Sequence, residues 1–180
     1  MAENIFMKSG GGHEIFEWGS LGDIKEGRGD LGEDMPVVVY RLMQFTMLDV
    51  LSKAYGLDVA NSIFKDAGFL AGTEFAKNVL DLNTDFNTFA ADLQKALEDL
   101  KIGILRVENL EEDGDRIILT VGQDLDCSGL PITNENVCIY DEGFIAGILN
   151  AFTGKEYDVK EVDCWASGDR VCRFTADAQG

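Results

Sequence analysis

Apolar residues first recur at helical spacing at Val39, Leu42, Met43, Met47, Val50, Leu51 and Ala54. With Asp34 and Pro36 as a start signal and Gly56 as a stop, this spacing predicts a first long helix. Asp58 can cap a second, whose apolar positions Val59, Ile63, Ala67, Leu70, Ala71 and Phe75 recur at helical intervals before the pattern fades near Asn78. Thr84 or Asp85 opens a third, with Phe86, Phe89, Ala90, Leu93, Leu97 and Leu100 as its stripe. The Phe and Met residues of these stripes are read as core.

After Lys101 the period shortens. Ile102, Ile104 and Val107, then Ile117, Leu119 and Val121, flank a charged turn over 111–115 that contains Gly114, which predicts a hairpin. A fourth helix is expected over 137–152, ended by Gly154. Its two internal glycines, Gly143 and Gly147, lower helix propensity and imply close packing against another backbone. Residues 157–165 and 171–175 predict a final strand pair. Helices first and antiparallel strands later make an α+β domain, with the N-terminal helices packed on an antiparallel sheet. Upstream, eight glycines between Ser9 and Asp34 mark residues 1–34 as a loop-rich arm, with a short strand near 15–18, ahead of a single domain over 35–178.

Composition narrows the function. At 180 residues and 46% apolar the chain can bury one core. Its formal charge of -18 repels the phosphates of nucleic acid and anionic membrane surfaces, so neither is an expected partner. The first residues lack the apolar run of a secretory signal, and no later segment reaches the length of a membrane span. A soluble, cytoplasmic protein is expected. The one histidine, His13, follows three glycines, which argues against Ser-His-Asp or Cys-His catalysis and against His-rich catalytic metal sites. Gly10-Gly11-Gly12 and Gly27-Arg28-Gly29 lack the strand-turn-helix frame of a dinucleotide site. No intrinsic catalytic motif emerges.

Four cysteines are too few for a disulfide scaffold in a reducing cytosol. If the final strand pair turns at Gly168 and Asp169, Cys164 and Cys172 lie opposite each other on one face of the ladder. Cys138 falls at the start of the fourth helix, where the helix dipole favours a thiolate. Glu161 would complete a set of three sulfurs and one oxygen, a mixture zinc accepts. With four protein ligands such a zinc is structural. A Cys164 to Cys172 disulfide and unrelated buried thiols are the alternatives left open by the residues themselves.

The stretch from Cys138 through YDEGFIAGILNAFTGKEYDVKEVDCWASGDRVCRF resembles the 4-vinyl reductase domain family. The resemblance is carried by Gly143-Phe144 and Gly147 in a helix, a Thr153-Gly154-Lys155 turn, Glu161-x-x-Cys164, Gly168-Asp169 and Cys172-x-Phe174. The matching core covers about 118–178. In zinc-bearing members the corresponding ligands would be Cys138, Glu161, Cys164 and Cys172, giving a zinc-bound C-terminal hairpin. Cys127, in Asp126-Cys127-Ser128-Gly129, falls outside that set and is read as a spare thiol, with a substitute ligand or a redox partner as the other readings.

Domains of this kind include ligand-binding domains of aromatic-sensing activators and proteins associated with bacteriochlorophyll synthesis, and the fold is similar to trafficking-particle subunits that dimerise. The resemblance therefore implies a small-molecule-binding or sensory domain with a structural zinc. It would take an apolar or aromatic molecule, form a homodimer, and pass any signal to a protein partner. An accessory role in tetrapyrrole metabolism or a dimeric scaffold is the alternative. The phenol sensors hold the ligand hydroxyl with a histidine, and none lies beyond His13 here, which argues against phenol itself. Phe64, Phe69, Phe75, Phe86 and Phe89 are the candidate pocket residues, between the helices and the sheet.

Overall fold

The computed structural model describes residues 16–111 and 114–179. A 3-10 turn at Trp18–Leu21 and a single helical turn α1 at Ile24–Gly27 precede three long helices, α2 (Val37–Tyr55), α3 (Leu57–Val79) and α4 (Phe86–Asp99). Strands β1 (Ile104–Leu110) and β2 (Arg116–Gly122), helix α5 (Ile139–Thr153), and strands β3 (Tyr157–Asp163) and β4 (Cys172–Ala178) complete the chain. The strand expected near 15–18 is a 3-10 turn where the structure describes it, and Ile15 lies outside the described residues. That segment is not loose: the Trp18 amide donates to Glu74, and the Trp18 ring meets Phe75 edge-on at 6.5 Å.

Local chemistry explains the boundaries. Asp85 caps α4 by accepting from the Asn87 and Thr88 amides, satisfying two of the donors a helix start leaves free. Gly154 ends α5 in the left-handed conformation at φ 74°. The sheet has the order β1-β2-β4-β3, antiparallel throughout, so the last strand enters between the first hairpin and β3. Phe89, Ile117, Ile148, Val159 and Phe174 are fully buried between helices and sheet.

Helix α5 lies against α3 at backbone distance. A Cβ on Gly143 would sit 1.9 Å from the Lys65 carbonyl, and one on Gly147 would sit 2.2 Å from that of Phe69. The contact is reciprocal, because Gly68 and Gly72 face the carbonyls of Tyr140 and Phe144 in the same way. The close packing implied by Gly143 and Gly147 is thus met by a second glycine pair on α3.

Helix α2 departs from expectation. Its apolar stripe predicts a core-facing helix, yet Gln44 is its only buried residue. Val38 is 70% exposed, Leu42 65% and Val50 63%, and Met43 and Met47, which the stripe places in the core, are each half exposed or more. The physical reason is that the α3 and α5 pair already covers the sheet, so α2 reaches the domain only through α3 and a few polar contacts. A periodic stripe reports an apolar face without saying what covers it.

Candidate functional site

Four thiols converge where the end of β2, the start of α5, the end of β3 and the start of β4 meet. Cys127, Cys138, Cys164 and Cys172 are all buried and all free, and their sulfurs lie within 4.8 Å of one another. Cys138 Sγ is 3.9 Å from Cys164 Sγ and 3.8 Å from Cys172 Sγ, while Cys127 and Cys172 sulfurs are 3.0 Å apart. A tetrahedral zinc with sulfur at about 2.3 Å needs sulfurs about 3.8 Å apart. Two of the three separations meet this directly, and the third is well beyond the bond length of a disulfide, about 2.05 Å. The donor set therefore fits a tetrahedral thiophilic metal.

Each cysteine is placed by a local device. Cys138 forms the N-cap of α5. Cys164 leaves β3 and caps the 3-10 turn Trp165–Ser167, where Ser167 Oγ accepts from its amide. Cys172 begins β4 opposite Val121 on β2. Cys127 is held by an aspartate turn in which Asp124 Oδ1 accepts from the amides of Asp126 (2.8 Å) and Cys127 (3.1 Å).

Cys127 is the member that the sequence does not reveal. Expected to be a spare thiol, it sits inside the cluster, in hydrogen-bond contact with Cys172. Glu161 is adjacent but employed differently: its Oε2 accepts from the Cys138 amide at 3.1 Å, and its amide donates to Glu142 Oε1 at 3.0 Å. Its other oxygen, Oε1, is buried without a partner. Burial pushes the Glu161 carboxyl up to about 8. Among the thiols, Cys164 is pulled down by the hydrogen bonds of Cys127, Cys138 and Cys172, whereas Cys138 and Cys172 are pushed up by the crowd of sulfur around them. A crowded thiol cluster of this kind resists full ionisation until a cation compensates it.

The Cys127 loop is also tied to α2. Tyr40 and Gln44 donate to the two oxygens of Asp126 at 2.9 and 2.6 Å, and Arg41 donates to the carbonyls of Leu125 and Ser128 at 2.7 and 2.9 Å. Burial, then the charge of Asp124, lifts Asp126 to about 6. Burial raises the Tyr40 hydroxyl as well, so it stays a donor.

Beside the cluster, an apolar cavity of about 40 Å³ lies between α4, α5 and the β1–β2 hairpin. Of the aromatic residues singled out from the sequence, Phe86 and Phe89 line it, joined by Phe144. Phe75 packs in the core against Phe144 at 5.4 Å, Phe64 is half-buried and Phe69 is exposed, and none of these three lines it. Asp124 and Asp141 form its polar end, a feature no sequence spacing signalled.

A helical layer on an antiparallel sheet, with a thiol cluster at one edge and an apolar cavity under the helices, defines a small α+β domain of binding-module type. Residues 117–178 match the 4-vinyl reductase domain family, and the chain carries a domain of that family there. An uncharacterized protein of Methanocaldococcus jannaschii is 28% identical over 145 residues, covering 81% of this chain and 79% of that protein. Two solved structures share the fold. The phenol-responsive sensory domain of the transcription activator PoxR has a TM-score of 0.61 at 13% identity, covering 80% of this chain and 75% of that one. A trafficking protein particle complex subunit 3 from Naegleria fowleri, covalently bound to palmitic acid, has a TM-score of 0.63 at 13% identity, covering 80% and 95%. Among the described residues no helix is long and apolar enough to cross a membrane.

Proposed function

We propose that this protein is a small-molecule-binding, sensory member of the 4-vinyl reductase domain family in which one zinc, held by Cys127, Cys138, Cys164 and Cys172, locks the C-terminal strands to α5. The observation that carries the reading is the apolar cavity between helices and sheet, built beside a thiol cluster with tetrahedral spacing. The zinc is structural, since four thiolates leave no open position for water. Glu161 positions Cys138 through its amide and is the alternative fourth ligand. The ligand is an apolar or aromatic molecule. Pockets for drug-sized ligands run to several hundred Å³ and even benzene needs about 150 Å³. Binding therefore requires α4 to swing outward from β1, and that displacement is the signal a protein partner would read. The similarity in fold to the PoxR sensory domain and to a palmitate-bound subunit supports a ligand in this layer.

The test is a thermal-shift screen of small aromatic and aliphatic probes on zinc-loaded protein. A probe at a hundred times its Kd is expected to stabilise by about 2.7 kcal/mol, saturably. Substituting Phe89 by Trp, which narrows the cavity, should abolish the shift. A screen with no saturable binder sinks the sensory reading and favours a scaffold.

The domain is also proposed to be a homodimer through α2. Its exposed apolar face carries only Arg41, Asp49 and Lys53 as charges in 19 residues of a strongly acidic chain, so two copies can meet there without like-charge repulsion. Sedimentation should give a dimer for the native chain and a monomer for Leu42→Glu. A native chain that stays monomeric across a wide concentration range contradicts this.

A further inference from the structure

The polar end of the cavity is unusual in what it lacks. Asp124 is buried, and Asp141 Oδ2 is fully buried with no hydrogen-bond partner. Among the described residues no basic side chain pairs with either. Arg41 spends its donors on the carbonyls of Asp124, Leu125 and Ser128, and Lys65 and Lys160 are paired with Glu142 and Asp158. Burial raises both carboxyls, and Asp126 and Asp124 raise Asp141 further. Four thiolates around one divalent ion would add a net negative charge next door. Uncompensated charges buried this close together are costly, and a cation removes the cost.

Geometry supplies a place for that cation. The ligand atoms of Asp124, Cys138 and Asp141 lie within 4.8 Å of one another, and Cys138 Sγ is 3.9 Å from Asp124 Oδ1. Cys138 belongs to both groups. The adjoining cavity of about 40 Å³ has room for roughly three waters. That is too little for an organic cation of any size but enough to complete the shell of a metal ion.

We propose that Asp124, Asp141 and a bridging Cys138 thiolate form a second divalent-cation site, with its remaining position open to the apolar cavity. The proposal rests on the reading that the four cysteines hold the first ion. Three protein ligands of mixed sulfur and oxygen, plus water, suit zinc, and they leave the open coordination position that a four-cysteine site lacks.

The test is metal analysis of zinc-loaded, desalted protein, with ligation read by X-ray absorption and folding by circular dichroism. The native chain is expected to hold about two zinc ions, and Asp141→Asn about one, with the average ligation shifting from sulfur and oxygen to sulfur alone. Asp124→Asn retains an oxygen for the amides of Asp126 and Cys127, so it should lose the second ion with the loop intact. One zinc in the native chain and in both variants overturns the second site and leaves the first standing. No zinc in any of them removes the reading beneath both. If Asp141→Asn misfolds, a folded Asp124→Asn chain that keeps both ions overturns the proposal.

Discussion

Replacing Gly143 with alanine is expected to lower Tm by about 10 °C, equivalent to about 3 kcal/mol or more in a chain of this size. Alanine is the better helix former by about 1 kcal/mol, so propensity alone predicts the opposite sign. The added methyl would lie 1.9 Å from the Lys65 carbonyl oxygen and 2.8 Å from the Phe69 amide nitrogen. Both are backbone atoms, so no side-chain rotation relieves the clash, and α5 must lift from α3 by more than an ångström. That movement would also disturb Glu142, which joins Lys65 on α3 to the Glu161 amide on β3. Gly19→Ala is the control, since no atom lies within 4 Å of its Cβ position and its φ is unexceptional. Equal melting of both variants and the native chain would mean that the helices do not cross this closely.

The glycine pair on α5 was legible in the sequence because two glycines four apart weaken an apolar helix unless a neighbouring backbone packs into the space they leave. Asp85 was legible for a similar reason, as an aspartate just before a periodic stripe. The three cysteines Cys138, Cys164 and Cys172 announced themselves by position, at a helix start and on either side of a turn. Cys127 did not, because what brings it to them is the Asp124 turn and the pairing of β2 with β4, contacts between segments about 45 residues apart in sequence. The insertion of β4 between β2 and β3 is equally non-local, and neither strand carries it as a pattern. Helix α2 shows the opposite limit: its stripe is clear, but periodicity gives a face and not its occupant, so an exposed surface reads like core. The carboxylates at the end of the cavity had no signature at all. Asp124 and Asp141 meet only because α5 returns across the end of β2.

The fourth ligand is where sequence and structure point to different atoms, and the two make opposite predictions. Sequence resemblance favours Glu161, so that Cys127→Ser should be mild. Geometry favours Cys127: its sulfur completes the group of four, and Asp124 fixes its loop through two amide hydrogen bonds. Glu161 already spends one oxygen on the Cys138 amide, and burial, pushing it up to about 8, keeps it protonated at neutral pH while no cation is near. Cys127→Ser is therefore expected to release the cluster's zinc as fully as Cys164→Ser or Cys172→Ser. Because thiolate ligation is part of the folding free energy, each should lower Tm by about 10 °C or more, as a chelator does to the native chain. Glu161→Gln keeps the oxygen that accepts from Cys138 and should retain that zinc, with four sulfurs around it by X-ray absorption. The buried, unpartnered Glu161 Oε1 gives the other outcome its physical basis. If Glu161→Gln loses the ion while Cys127→Ser keeps it with three sulfurs and one oxygen, the ligands are Cys138, Glu161, Cys164 and Cys172, and Cys127 is a bystander within the cluster.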